Sequence, residues 1–242
     1  NNFGDITIDA AGSVTIHSSI DGDTLTVNDV DGGTNHATTV TLNDPIDLDN
    51  GGAGDVLVIT ATNVVFSNDA TITTGTGGNV DINGTGAGSV TMPNTAAGAH
   101  TIDGTFNIDN QFGGGVTLGE NITTTGDVIT IASATTITEN ITLDTTSGAA
   151  AGANISLAAV EAEGLATGET LTLNAGTGGD ITISGLVGAT NRIGLLTITN
   201  ADDVDLTNNS ASFDAAVQPK LFRLRARNTG RWTSKNIKIS IS

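Results

Sequence analysis

An aliphatic–threonine–aliphatic triplet returns through most of the chain. It appears at Ile6-Thr7-Ile8, Val14-Thr15-Ile16, Leu25-Thr26-Val27, Val40-Thr41-Leu42, Val90-Thr91-Met92, Val116-Thr117-Leu118, Ile129-Thr130-Ile131, Ile141-Thr142-Leu143, Leu171-Thr172-Leu173 and Leu196-Thr197-Ile198. Alternation at period two puts both aliphatics on one face of a strand and the threonine on the other. In its fullest form the unit is the decad Gly176-Thr177-Gly178-Gly179-Asp180-Ile181-Thr182-Ile183-Ser184-Gly185, with a near-copy about a hundred residues earlier at Gly75-Thr76-Gly77-Gly78-Asn79-Val80-Asp81-Ile82-Asn83-Gly84. Each copy is a glycine corner, an Asp or Asn able to close a turn with its own side chain, a three-residue strand and a second glycine. Strands this short, with corners this frequent, describe one side of a coil.

The spread of the unit makes residues 1–219 a single elongated all-β body, a parallel β-helix (solenoid) of two or three strands per rung. At roughly 20 residues per rung and about 4.8 Å between stacked strands, the body would make on the order of 11 rungs and roughly 50 Å. The competing architecture is a β-sandwich of pilin type, but six Phe and one Trp supply little filling for a two-sheet core. Cysteine is absent, so stability falls to stacked strands and aliphatic ladders. No apolar run is long enough to span a bilayer as a helix. The start Asn1-Asn2, without Met or a basic leader, suits a processed mature chain.

Several stretches carry particular expectations. Val56–Phe66 is the most continuously apolar passage and belongs on the best-buried side, and Phe106 and Phe112 are rare large fillers. Asn121-Ile122-Thr123, Asn140-Ile141-Thr142 and Asn154-Ile155-Ser156 place asparagines where they can hydrogen-bond up the coil. The segment from Ala149 to Gly168 contains good helix formers and reads as a bulging loop or a short helix. Threonine runs at residues 71–74, 123–125 and 135–138 read as the ordinary outward positions of strands.

The Gly176–Gly185 decad, the passage Leu171-Thr172-Leu173-Asn174-Ala175 and the later Gly188-Ala189-Thr190-Asn191-Arg192-Ile193-Gly194-Leu195-Leu196-Thr197-Ile198 resemble β-strand-repeat surface proteins of the filamentous-haemagglutinin and autotransporter-passenger kind. The resemblance covers roughly residues 4 to 210 and rests on repeats of low specificity. It implies a secreted bacterial right-handed β-helix used in adhesion, surface coating or filament formation. The C-terminal end departs from the pattern, with neither further repeats nor an outer-membrane barrel.

That end is set apart by charge. Residues 1–219 carry 26 acids and one base, Arg192, for a net of −25, whereas residues 220–242 carry no acid and a net of +7, within a total of −18. Such segregation makes the molecule an electrostatic dipole. Phe222, Leu224 and Ala226 alternate with Arg223, Arg225 and Arg227. Asn228-Thr229-Gly230 then turns, Trp232 follows, and Ile237, Ile239 and Ile241 alternate with Lys238, Ser240 and Ser242. The expectation is a C-terminal β-hairpin with one apolar and one basic face. A solenoid end must be capped or joined to another edge. The hairpin can cap its own coil, join the next subunit by strand addition with electrostatic steering, or anchor to something acidic. The candidate joint comprises Lys220, Phe222, Arg223, Leu224, Arg225, Arg227, Arg231, Trp232 and Lys235, with Ile237, Lys238, Ile239 and Ile241 as the pairing strand.

Chemistry is sparse. His17, His36 and His100 lack metal spacing and read as corner or surface residues. Asp202-Asp203 with Asp205 could supply acid and base, yet the body has no Tyr or Trp platform for a sugar, so solvated corner carboxylates are the expectation and catalysis is not. Asp21/Asp23, Asp29/Asp31 and Asp44/Asp47/Asp49 offer oxygen ligands for calcium, but Gly51-Gly52-Ala53-Gly54-Asp55-Val56 misses the calcium-roll pattern and loosely held counterions are preferred. A body at −25 excludes nucleic acid as a partner. The sequence therefore points to an extracellular or cell-surface structural protein that self-assembles head to tail, with an adhesin or glycan-binding module as the alternative.

Overall fold

The computed structural model describes residues 3–27, 36–67, 69–93, 99–164, 168–206 and 225–226. The described chain is all-β, without a helix, and winds into a parallel β-solenoid of about 7 turns. Every strand pairing among the described residues is parallel, which disposes of the sandwich, whose sheets are antiparallel.

Three columns of strands form three faces. The first runs Phe3–Ile8, the end of Ile20–Val27, the first half of Gly54–Phe66, Gly78–Gly84, Phe106–Ile108, Ile129–Ile131, Ile155–Leu157, Ile181–Ile183 and Val204–Asp205. Ser13–Ile16, Ala37–Leu42, the second half of Gly54–Phe66, Ser89–Met92, Gly115–Leu118, Thr135–Ile137 and Val160–Ala162 make the second. The third begins at Ile20 and continues through Ile46–Leu48, Ile72–Thr74, His100–Ile102, Ile122–Thr124, Ile141–Asp144, Thr170–Asn174, Leu195–Asn200 and Arg225–Ala226.

Register is held by the alternation itself, because a slip of one residue would turn every aliphatic outward. On the first face Ile6, Leu25, Leu57, Val80, Phe106, Ile129, Ile155, Ile181 and Val204 fall in one column. Those from Leu25 to Ile181 are all fully buried. Burying each aliphatic contributes about 1.5–3 kcal/mol against the ordering cost, so the column is the main cohesive element. The 13-residue strand Gly54–Phe66 turns from the first face to the second, with a register shift between Asp55 and Leu57. The expected burial holds for Val56–Ile59, Val64 and Phe66 but not for Val65, which the alternation leaves half-buried on the outer side, and Phe106 and Phe112 are interior fillers.

Rungs are longer than the sequence suggested. From Leu57 the first-face column advances by 23, 26, 23, 26, 26 and 23 residues per turn. Three strands per rung, the larger of the two numbers expected, need more chain than roughly 20 residues, so about 7 turns replace the expected 11. The Ala149–Gly168 segment also differs from expectation. It contains the strands Ile155–Leu157 and Val160–Ala162 on the first and second faces, because stacking between neighbouring rungs outweighs the weak helix preference of a short alanine run.

The two decads lie on the same face four rungs apart, yet their corners differ. Gly78 N–H closes its own turn on Gly75 O at 2.9 Å, whereas Gly178 N–H donates to Ala151 O of the rung below at 2.8 Å. The left-handed residue is Gly77 in one copy (φ +72°) and Gly176 in the other (φ +75°). A Cβ at Gly176 would strike the Ala151 carbonyl, so this corner needs glycine for both conformation and space.

Candidate functional site

The inward columns are mostly aliphatic, with small polar exceptions at Thr74, Thr124 and Thr135 and a larger one at His100. On the third face Ile46, Ile72, His100 and Ile122 stand in successive rungs, placing an imidazole where an aliphatic is due. His100 is fully buried, contrary to the surface position expected of it. Its frame, His100-Thr101-Ile102, is the repeat triplet with His in an inward slot, so the signal was present in the sequence. Ile72 N–H donates to His100 Nδ1 at 3.0 Å, which leaves the proton of the neutral ring on Nε2. Nε2 lies 2.9 Å from Glu120 Oε2, and Glu120 is itself 3% exposed. Phe66 packs edge-on against the imidazole, with centroids 5.7 Å apart. The 2.9 Å approach of Nε2 to Glu120 is a close contact rather than an aligned hydrogen bond, and neither His100 Nε2 nor either carboxylate oxygen of Glu120 has a hydrogen-bond partner. With no open face, the pair is a packed polar rung of the core rather than a site for a diffusing substrate.

Buried threonines mark the corner after the third face, another departure from the outward reading. Thr74 Oγ1 donates to Gly78 O and accepts from Asp103 N–H, both at 2.9 Å. Thr145 Oγ1 donates to Ala153 O at 2.9 Å and accepts from Ala153 N–H at 3.0 Å. The asparagines do bond up the coil, but to backbone. Asn121, Asn140 and Asn154 Oδ1 accept from the N–H groups of Thr142, Thr170 and Asp180 at 2.7, 3.0 and 2.8 Å.

The carboxylates fall into corner stacks. Asp180, Asp202 and Asp203 bring ligand oxygens within 4.8 Å of one another, and Asp180 Oδ1 already accepts Asp203 N–H at 3.1 Å. Asp21 and Asp47 stand in register on adjacent rungs, and Asn50 Nδ2 donates to Asp21 Oδ1 at 3.2 Å and to Asp49 Oδ1 at 2.7 Å. Burial first, then repulsion from Asp49 and Asp21, push the Asp47 carboxyl above its usual range, against a lowering hydrogen bond from the Asp49 backbone. Asp29 and Asp31 lie outside the described residues. Glu161 closes the loop before Arg192, accepting N–H groups of Ala189, Thr190 and Asn191 at 3.0, 3.1 and 2.7 Å. A concave run of amides that would suit an anion is thus filled by the protein's own carboxylate.

Of the candidate joint, Lys220, Phe222, Arg223, Leu224, Arg227, Arg231, Trp232, Lys235, Ile237, Lys238, Ile239 and Ile241 lie outside the described residues. Arg225 and Ala226 form a two-residue strand, parallel and in register with Thr197 and Ile198. The backbone of the basic segment thus adds to the third face of its own coil at this point.

Among the described residues, Phe3–Ile8 pairs with Ile20–Val27 alone and Ser13–Ile16 with Ala37–Leu42 alone. Phe3 is 53% exposed and Ile6, Ile8 and Ile16 are only partly buried, whereas their stacked neighbours Leu25, Val27 and Leu42 are fully buried. No helix of the described residues is long and apolar enough to cross a membrane. Comparison with protein-family models, curated proteins and solved structures finds no match.

Proposed function

We propose that the protein is an extracellular, non-enzymatic structural protein that assembles head to tail into a filament or surface layer, its basic C-terminal segment engaging the acidic body of the next subunit. The observation that supports this most is the division of charge, −25 over residues 1–219 and +7 over residues 220–242, on a coil whose described strands all run parallel. A parallel coil has two different ends, so contact between them is heterologous and repeats without closing. The resemblance to filamentous-haemagglutinin and autotransporter-passenger repeats supports a bacterial cell-surface setting for such a filament.

The test is light scattering of the 242-residue chain at low salt, beside a form ending at residue 219 and a full-length form with Arg227 and Arg231 changed to Glu. The reading expects large particles from the first alone, lost as NaCl approaches about 1 M, where charges are screened beyond about 3 Å. Monomers throughout would overturn it. A second reading, an adhesin or glycan-binding module, draws on the outward threonine column Thr91, Thr117, Thr136 of the second face and on Thr142, Thr172, Thr197 of the third. Glycan binding by the form ending at residue 219 would favour it.

A further inference from the structure

We infer that Asn50-Gly51 is a self-modification site, where Asn50 deamidates through a cyclic imide, and that the change loosens the corner joining the rungs of Ile20 and Ile46. The chain holds two Asn-Gly pairs, Asn50-Gly51 and Asn83-Gly84, and the fold treats them oppositely. Asn50 is exposed in the corner between the strands Ile46–Leu48 and Gly54–Phe66. Among the described residues nothing accepts a hydrogen bond from the Gly51 N–H. The Asn50 side chain is held only through Nδ2, which donates to Asp21 Oδ1 at 3.2 Å and to Asp49 Oδ1 at 2.7 Å, so neither bond engages the carbonyl that is attacked. Glycine at 51 is a requirement of the fold, because a Cβ there would strike the Asp23 carbonyl of the neighbouring rung. The same missing side chain removes the steric shield from the Gly51 nitrogen.

The chemistry needs only water and hydroxide. The Gly51 nitrogen, its proton taken by hydroxide, bonds to Asn50 Cγ. The Cγ–Nδ2 bond breaks, and ammonia leaves with a proton drawn from water. Water then opens the imide at either carbonyl, giving aspartate or the isomer whose backbone runs through the side chain.

Asn83-Gly84 has the same two residues in the opposite setting. It ends the strand Gly78–Gly84, in register with Thr60 and Ala61. Gly84 is buried, and its N–H donates to Asp109 Oδ1 at 3.0 Å. Ring closure there must first break that charged hydrogen bond and lift the pair from the sheet, which slows it on the order of tenfold or more.

The consequence at Asn50 follows from what its amide bridges. Asp21 and Asp47 stand in register on adjacent rungs, with Asp49 two residues on. As an amide, residue 50 donates to Asp21 and Asp49; as a carboxylate it has no proton to offer and repels both. The isomer also adds a backbone carbon to a corner in which Gly51 already lies against Asp23.

For the test, the 242-residue chain is held at mildly alkaline pH, once folded and once in denaturant, and then digested. The peptides containing Asn50 and Asn83 are weighed for the mass gained when NH2 becomes OH. In the folded chain conversion at Asn50 is expected to exceed that at Asn83 on the order of tenfold or more, and the two should converge in denaturant. Equal conversion in the folded chain, or a gap that persists in denaturant, would overturn the site. Asn50→Asp supplies the converted corner directly. Its Ile20 amide, which donates to Pro45 O across the same two rungs at 3.0 Å, should exchange hydrogen roughly threefold faster than the parent's, with Asn50→Gln closer to the parent. Unchanged exchange in Asn50→Asp would overturn the loosening.

Discussion

His100 and Asp47 show how single residues set the local terms. Changing His100 to Leu restores the aliphatic column but leaves the Glu120 carboxylate buried without its partner, a loss of about 3–5 kcal/mol in denaturant unfolding. Changing both His100 and Glu120 to Leu is expected to recover most of that loss, because well-packed apolar residues commonly replace a buried pair at little cost. If the double variant is as unstable as the single one, the pair does not act as a unit. For Asp47 the folded state holds the carboxyl proton more tightly than the unfolded chain does. The acid therefore favours folding at low pH and opposes it once pH rises through the raised folded value. Asp47→Asn should raise the unfolding free energy near about pH 7, by under about 1 kcal/mol for this partly exposed group, with the gain vanishing near about pH 3 where both states are protonated. A gain equal at both pH values would contradict the assignment.

At the scale of strands and corners, each stretch contributes through the rung beneath it. Gly176→Ala places a Cβ against the Ala151 carbonyl in a left-handed corner, and about 1–3 kcal/mol of destabilisation is expected on thermal or denaturant melting. Gly52→Ala, where a Cβ meets nothing, should cost far less. Strand positions were legible because the alternation is period two and repeats. Ile129-Thr130-Ile131 and Leu171-Thr172-Leu173 could hardly be anything else. Rung length was not legible, since corners of different length join identical triplets and only the pairings reveal which triplets stack. The Ala149–Gly168 segment misled for a related reason, helix preference being local whereas stacking belongs to neighbours 26 residues away. The threonine runs at 71–74, 123–125 and 135–138 read as outward because threonine is common there, yet Thr74, Thr124 and Thr135 are buried, with hydroxyls that donate to the carbonyls of Gly78, Asp127 and Ser133. His100 was hidden by residue type rather than by pattern, since its triplet frame already placed it inside.

As a whole the molecule is a coil with two unlike ends, and its proposed behaviour follows from that polarity. In the proposed assembly, the body's acidity opposes side-by-side contact and the basic segment supplies the attraction between copies. The charge division that marks the C-terminal segment could be read from composition alone. Electron microscopy of the 242-residue chain at low salt is the most direct measurement. The account predicts unbranched fibres one solenoid wide, whose axial repeat equals one subunit of about 7 turns and which vanish when residues 220–242 are removed. Separate single particles with the tail present, or fibres that persist without it, would contradict it.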